Sequence, residues 1–193
     1  MTSPLIPLLH DLSSLFGRNK IRWYIFGAQA AIIHGASRMT ADVDVTVICG
    51  NHPIEALIDS LKNGGFDIRV TAPEEFIEHT GVLPALHIKT GMPVDIVFGR
   101  SRLEEEFERR ARKYDIEGIK VPAASAEDVV TMKILAGREK DLEDALSIIS
   151  AKHETIDIPH IQKTLGMLEK ALDRSDLLPL LDNLSHRANL QGE

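Results

Sequence analysis

Residues 42–48 read DVDVTVI, the strictest polar–apolar alternation in the chain. Side chains of a strand alternate between its two faces, so Asp42, Asp44 and Thr46 share one face while Val43, Val45 and Val47 share the other. The valines are the core face. Aspartate is depleted in strands, and here two of them stand roughly 6–7 Å apart at the Cα by strand rise. Two like charges that close repel unless a cation sits between them. Oxygen-only donors of this kind favour Mg²⁺ or Mn²⁺ over zinc. A third acid has the same improbable setting: Asp95 lies within PVDIVF at 93–98, with Val94 and Ile96 pointing the other way. If that strand lies beside 42–48, all three acids converge. The alternative is that Asp42 is a turn or cap residue and that Asp44 and Asp95 are exposed strand positions.

Upstream, IRWYIF at 21–26 is a short β-rich run ending at Gly27, and AQAAIIHGA from Ala28 onward is helix-like, closing at Gly35. A glycine between a strand and a helix can present backbone N–H groups and the helix dipole to a phosphate; it can also be only a turn. RMTADVD at 38–44 follows. Arg38 can reach a phosphate or pair with a nearby acid. His34 reads as a packed or capping residue rather than a ligand, and Cys49 as a small buried hydrophobe at a strand end.

Helical and strand patterns alternate around this segment. Leu5, Leu8, Leu9, Leu12, Leu15 and Phe16 recur at helical spacing, with Gly17 placed to stop the helix. Residues 53–63 form a helix, FDIRV at 66–70 a strand, 73–79 a helix, and 83–89 and 93–98 two strands joined by a turn at Thr90-Gly91. A charged helix spans 101–113, with acids first and bases after, an order that suits the helix dipole. Glu105–Arg109, Glu106–Arg110 and Glu108–Arg112 are i,i+4 pairs on it; the helix is either a solvated face or a basic end facing RNA. From Ser125, an N-cap with Asp128 three residues on, the chain is helical, with further helices near 139–152, 158–171 and 175–186. This predicts an α/β (α+β) fold, a mixed β-sheet flanked by helices with a C-terminal helical segment. The division is a core over 1–122, with an N-terminal helix 3–18 packed on it, and a helical region over 123–193.

The bulk properties bound the function. With 193 residues and 44% hydrophobic content the chain can bury one sizeable core. A single cysteine excludes an intramolecular disulfide and fits a reducing cytoplasm. The N-terminal stretch is interrupted by Pro4, Pro7, His10 and Asp11 and lacks a basic n-region, so it reads as an amphipathic helix rather than a signal peptide. No run approaches the length needed to cross a bilayer, so no membrane is expected. A net charge of −7 argues against broad nucleic-acid binding, yet it leaves room for a local basic surface.

The segment FGAQAAIIHGASRMTADVDVTV at 26–47 resembles the nucleotidyltransferase superfamily, whose fold is that of the catalytic core of DNA polymerase β. It is similar to that family's glycine turn, helix and D-x-D strand, with the later single Asp matched by Asp95. The family more often has Gly-Ser where this chain has Gly27-Ala28, so one hydroxyl contact to phosphate is missing. KILAGREKDLEDAL at 133–146 is similar to the Lys-x7-Asp helical motif of AbiEii-type toxin nucleotidyltransferases, with Lys133 and Asp141 in the matching positions. On a helical wheel Lys133 falls on an apolar face, where a lysine snorkels out or points into a site. Asp141 orients Lys133 or a substrate, or is a cap or helix-surface residue.

The resemblance implies transfer of a nucleoside monophosphate from a nucleoside triphosphate to a hydroxyl, releasing pyrophosphate. Asp42, Asp44 and Asp95 would hold Mg²⁺ or Mn²⁺. Gly27, Ala28, Arg38, Thr40, Lys133 and Asp141 would form the nucleotide and phosphate set; the catalytic residues would be the three aspartates, Asp95 helping to deprotonate the acceptor hydroxyl, and Lys133, offsetting charge on the departing pyrophosphate. The acceptor would be RNA, especially a tRNA end, a protein hydroxyl, or a small molecule such as an aminoglycoside, with a toxin or antitoxin partner as one setting. A catalytically silent binding or regulatory module of the same fold is the alternative.

Overall fold

The computed structural model describes residues 3–191. In chain order the elements are α1 (Leu5–Arg18), β1 (Arg22–Phe26), α2 (Gly27–Ile33), β2 (Val43–Ile48), α3 (Ile54–Asn63), β3 (Phe66–Ile68), α4 (Pro73–Thr80), β4 (Val82–His87) and β5 (Met92–Phe98). They continue with α5 (Arg102–Arg110), β6 (Arg112–Ile116), β7 (Ile119–Ala123), α6 (Ala126–Ala136), α7 (Glu139–Ala151), α8 (Ile158–Leu172) and α9 (Leu177–Gln191). Two compact units result. One holds the chain up to Gln29 together with Thr40–Ala124; the other holds Ala30–Met39 together with the chain from Ser125.

The first unit is built on a seven-stranded mixed sheet in the order β3-β4-β5-β2-β1-β7-β6. The β1/β2, β3/β4, β4/β5 and β6/β7 pairs are antiparallel, whereas β2/β5 and β1/β7 are parallel. Strand β2 lies near the middle, and Val43, Val45 and Val47 are fully buried, as the alternation demands. Val94 and Ile96 of β5 are buried with them. Helix α1 buries Leu8, Leu9, Leu12, Leu15 and Phe16, a single apolar stripe, and Phe16 meets Trp23 of β1 with ring centroids 5.2 Å apart. The second unit packs α6 against α7 and α8, and α9 against α7 and α8. Ser125 caps α6 by accepting from the Asp128 amide, as the sequence predicts. Among the described residues no helix is long and apolar enough to cross a membrane.

Several local expectations are corrected. Strand β2 begins at Val43, so Asp42 lies just outside it, its carboxylate accepting from the Thr40 hydroxyl. Helix α1 runs through Gly17 to Arg18 and closes at Asn19. Helix α5 stops at Arg110, which puts Arg112 in a strand and removes the Glu108–Arg112 pair; Glu108 instead binds Arg22 of β1 at 2.8 Å. Glu106–Arg110 forms at 3.9 Å, but Arg109 turns to Glu106 at 3.7 Å rather than to the Glu105 carboxylate. The β6–β7 hairpin is absent from the sequence expectation. Its turn carries positive φ at both Glu117 (48°) and Gly118 (90°), the demand of a two-residue hairpin loop, and Asp115 steadies it by accepting from the Gly118 amide at 2.7 Å.

Candidate active site

Two of the three acids, Asp44 and Asp95, come from the sheet of the first unit, and Asp42 immediately precedes β2. Strands β2 and β5 are parallel neighbours with Asp44 directly opposite Asp95, in a register that runs from Val43↔Val94 to Val47↔Phe98. Adjacent strands lie ≈ 4.7–4.9 Å apart, and because Val43, Val45, Val94 and Ile96 take the core face, the two carboxylates share the opposite one. Both are half-buried, while Asp42 is exposed just ahead of β2. The charge of Asp42 reaches Asp95: burial, and then this neighbouring carboxylate, push the Asp95 carboxyl above its ordinary value. Like charges crowded together repel, and a cation placed among them would relieve that repulsion.

Gly27 is required here by Asp44. It opens α2 immediately after β1, whose Phe26 is paired with Asp44. A Cβ at this position would lie 1.9 Å from Asp44 Oδ2, and φ is +60°, a conformation and a closeness that glycine alone permits. The Asp44 carboxylate therefore rests against the strand-to-helix turn. Ala28 is buried. Thr40 orients Asp42 through its hydroxyl.

Among the described residues no three His, Cys, Asp or Glu side chains are gathered closely enough to hold a metal ion as they stand. The donor chemistry nevertheless fits a hard divalent cation: two in-register carboxylates, a third whose charge Asp95 feels, and oxygen donors throughout.

The remaining sequence candidates form a second cluster, within the helical unit. Lys133 on α6 is only 8% exposed. Its ammonium is 2.7 Å from Asp141 Oδ1 and 2.8 Å from Asp144 Oδ2, both on α7. Arg38 takes the ion-pair option, with Nη1 2.9 Å from Asp144 Oδ2, and Arg138 Nε donates to Asp141. The result is a ladder of alternating charge, Arg38–Asp144–Lys133–Asp141–Arg138. Burial works to raise the Asp141 carboxyl, but the bonds and charges of Arg138 and Lys133 prevail and hold it below its ordinary value. Lys133 thus neither snorkels out nor stands free. Asp144 and Arg138 were missed by the sequence reading; the available signal was an acid three residues after Asp141, on the same helical face.

Two bystanders are settled by burial. His34 is 2% exposed and packed, as expected. Cys49 is half-buried after β2 rather than buried, and burial pushes its thiol up to about 11, which disfavours the nucleophilic thiolate.

Comparison with known proteins agrees with this architecture. Residues 3–176 match a family model described as a nucleotidyltransferase of unknown function (DUF6036). Among solved structures, the antibiotic-resistance protein ANT(2″)-Ia in complex with adenylyl-2″-tobramycin aligns with a TM-score of 0.62 at 11% identity, over 88% of this chain and 99% of its own. An antigenic nucleotidyltransferase-like protein from Paracoccidioides brasiliensis aligns with a TM-score of 0.56 at 19% identity, over 91% of both chains. The lincosamide antibiotic adenylyltransferase LnuA, bound to lincomycin, aligns with a TM-score of 0.52 at 16% identity, over 78% of this chain and 98% of its own. At these identities the likeness establishes the fold. No curated protein matches the sequence significantly.

Proposed function

Because the chain belongs to this nucleotidyltransferase family, we propose that it moves a nucleoside monophosphate from a nucleoside triphosphate to a hydroxyl group and releases pyrophosphate. The observation that carries this reading is the register of Asp44 against Asp95 on adjacent parallel strands, with Asp44 lying against Gly27. Asp42, Asp44 and Asp95 are the residues proposed to hold Mg²⁺ or Mn²⁺. Bound there, the cation would offset triphosphate charge and stabilise the oxygens of an in-line displacement.

The protein's own residues do the rest. Asp95, whose carboxyl is raised by burial and by Asp42, is suited to take the proton of the attacking hydroxyl. Backbone N–H groups at Gly27 and Ala28 are assigned to the phosphates. Thr40 sets the direction of Asp42. Lys133 and Asp141 act as a positioning pair that fixes the fold of the helical unit.

The acceptor class follows from chemistry shared by the competing candidates, an alcohol-type hydroxyl. An RNA end or a protein hydroxyl is favoured by the Lys133/Asp141 motif, which also supports a toxin–antitoxin setting in the cytoplasm. A small-molecule hydroxyl has the parallel of fold neighbours associated with lincomycin and adenylyl-2″-tobramycin. The test is incubation with each α-labelled nucleoside triphosphate, Mg²⁺, and total RNA, protein lysate or antibiotic. Label should enter one acceptor and vanish with Asp44→Ala. No transfer to any of them, by protein that binds nucleotide normally, would instead establish the silent binding module.

A further inference from the structure

The seven-stranded sheet ends on β3 at one side and on β6 at the other. An unpaired edge offers its N–H and C=O groups to any strand that can reach them, and proteins blunt such edges with short strands, prolines, bulges or charges. The β3 edge is blunted by length, since that strand has three residues. The β6 edge is longer: Arg112–Ile116 has five residues, contains no proline, and keeps an unbroken register with β7 from Arg112↔Ala123 to Ile116↔Ile119. Arg112, Lys113 and Asp115 are exposed, while Tyr114 and Ile116 are half-buried. What guards this edge is charge.

The turn at Glu117-Gly118 fixes which backbone groups are left over. With φ positive at both residues, it is a hairpin turn that closes between Ile116 and Ile119. Hydrogen-bonded positions alternate along an antiparallel pair. Ile116, Tyr114 and Arg112 therefore direct their backbone groups to β7, and those of Lys113 and Asp115 point away from the sheet. A second β6, related by a two-fold axis, can meet this edge with Lys113 against Lys113, with Asp115 against Asp115, or with Lys113 against Asp115. The first two set like charges opposite each other, which is destabilising. The third centres the axis on Tyr114 and satisfies both charges at once, Lys113 facing Asp115 of the second copy and Asp115 facing its Lys113. On the other face Tyr114 meets Tyr114 and Arg112 lies across Ile116, covering side chains that are half-buried in the single chain. Neither Lys113 nor Asp115 is held in an ion pair among the described residues, and Asp115 lends only Oδ1 to the Gly118 amide.

We propose that a second copy of this chain pairs with β6, antiparallel and centred on Tyr114, so that two sheets join into one. The occupant is a second copy because the charges that turn away an ordinary strand are matched by the same strand reversed. Five residues a side make a small interface, so the dimer forms reversibly with concentration rather than as a permanent pair. Strands β7 and β1 separate β6 from β2; at ≈ 4.7–4.9 Å per strand that is roughly 14 Å, which leaves the acids of β2 and β5 clear of the pairing. The inference therefore stands apart from the transfer reaction proposed above.

Sedimentation equilibrium of the full chain from micromolar to millimolar concentration tests it. A reversible dimer is expected, weakened by raised salt because the cross-strand ion pairs are exposed. Lys113→Glu sets acid against acid and should weaken association tenfold or more. Lys113→Pro removes an outward N–H that β7 does not use, a change an edge strand tolerates, and should weaken association as much with the melting temperature unchanged. Asp44→Asn should associate like wild type, which separates this result from failure of the carboxylate reading. Cysteine cross-linking in a Cys49→Ala background reads the register. Facing residues of a non-hydrogen-bonded pair stand about 4.5 Å apart at the Cα, within reach of a disulfide. Tyr114→Cys should therefore give a covalent dimer on mild oxidation, and Lys113→Cys should not. A monomer at every concentration, a dimer indifferent to both Lys113 variants, or cross-linking through position 113 but not 114 would each overturn the proposal.

Discussion

Replacing Lys133 with methionine keeps the length of the side chain and removes its charge from between two buried acids. Asp141 and Asp144 have side chains only 1% and 6% exposed, and the ammonium lies 2.7 and 2.8 Å from them. Breaking a buried pair by deleting one partner costs ~3–5 kcal/mol. Each acid keeps a guanidinium, Arg138 for Asp141 and Arg38 for Asp144, so the lower end applies, about 3 kcal/mol. For a chain of this size that is a fall in Tm of roughly 6–12 °C. Thermal melting at pH 7 of wild type, Lys133→Met, and the variant that adds Asp141→Asn and Asp144→Asn measures it. The triple variant should recover part of the loss: no carboxylate is left buried without the ammonium, while Arg38 and Arg138 lose their partners. The pH dependence has a defined sign. The Asp141 carboxyl is lowered in the fold, so its stabilisation is present above the ordinary carboxylate range and is lost as pH falls through the lowered folded value. Lys133→Met should flatten that slope. A Tm within about 2 °C of wild type at pH 7 would refute the buried ladder.

Four further outcomes follow from the structure. Gly27→Ala places a Cβ 1.9 Å from Asp44 Oδ2 at φ +60°; it should cost at least about 1–2 kcal/mol and abolish transfer, and an active variant with unchanged Tm would contradict the close approach. The Asp95 carboxyl should titrate above its ordinary value of 3.8 in carbon-detected NMR and move down in Asp42→Asn; no movement would remove the Asp42 influence. Since an acid raised in the fold gives stability below its unfolded value that is lost as pH rises through the folded one, Asp95→Asn should stabilise the metal-free protein at pH 7. Cys49, raised to about 11, should resist alkylation at pH 8 until the protein unfolds; rapid native-state labelling would contradict its burial.

The residues that declare themselves in the sequence are those governed by short-range rules. Val43, Val45 and Val47 alternate with Asp44 and Thr46 because a strand has period two, and they are fully buried. Ser125 and Asp128 announce α6 through local capping chemistry. What escaped depends on partners far away in the chain. Arg112 continues a helical charge pattern, yet hydrogen bonding to β7 draws it into β6, and a Glu117-Gly118 loop lacks the Asn-Gly or Asp-Gly signal of a hairpin. Glu108 could not be matched to Arg22 by spacing, with 86 residues between them. Lys133 was visible as an anomaly on an apolar face, but its neutralisation by Asp144 as well as Asp141 requires the packing of α6 on α7. Gly27 was legible as a turn glycine; that Asp44 itself excludes a Cβ there is a fact of tertiary structure.

The central claim is that Asp42, Asp44 and Asp95 form one cation and nucleotide site. Anomalous diffraction from crystals grown with Mn²⁺ and a non-hydrolysable nucleoside triphosphate tests it most directly. We expect a manganese peak within about 2.5 Å of carboxylate oxygens of Asp44 and Asp95, with triphosphate density beside it and no peak in Asp44→Asn. Manganese and nucleotide bound away from these strands, or a peak that persists in Asp44→Asn, would contradict it.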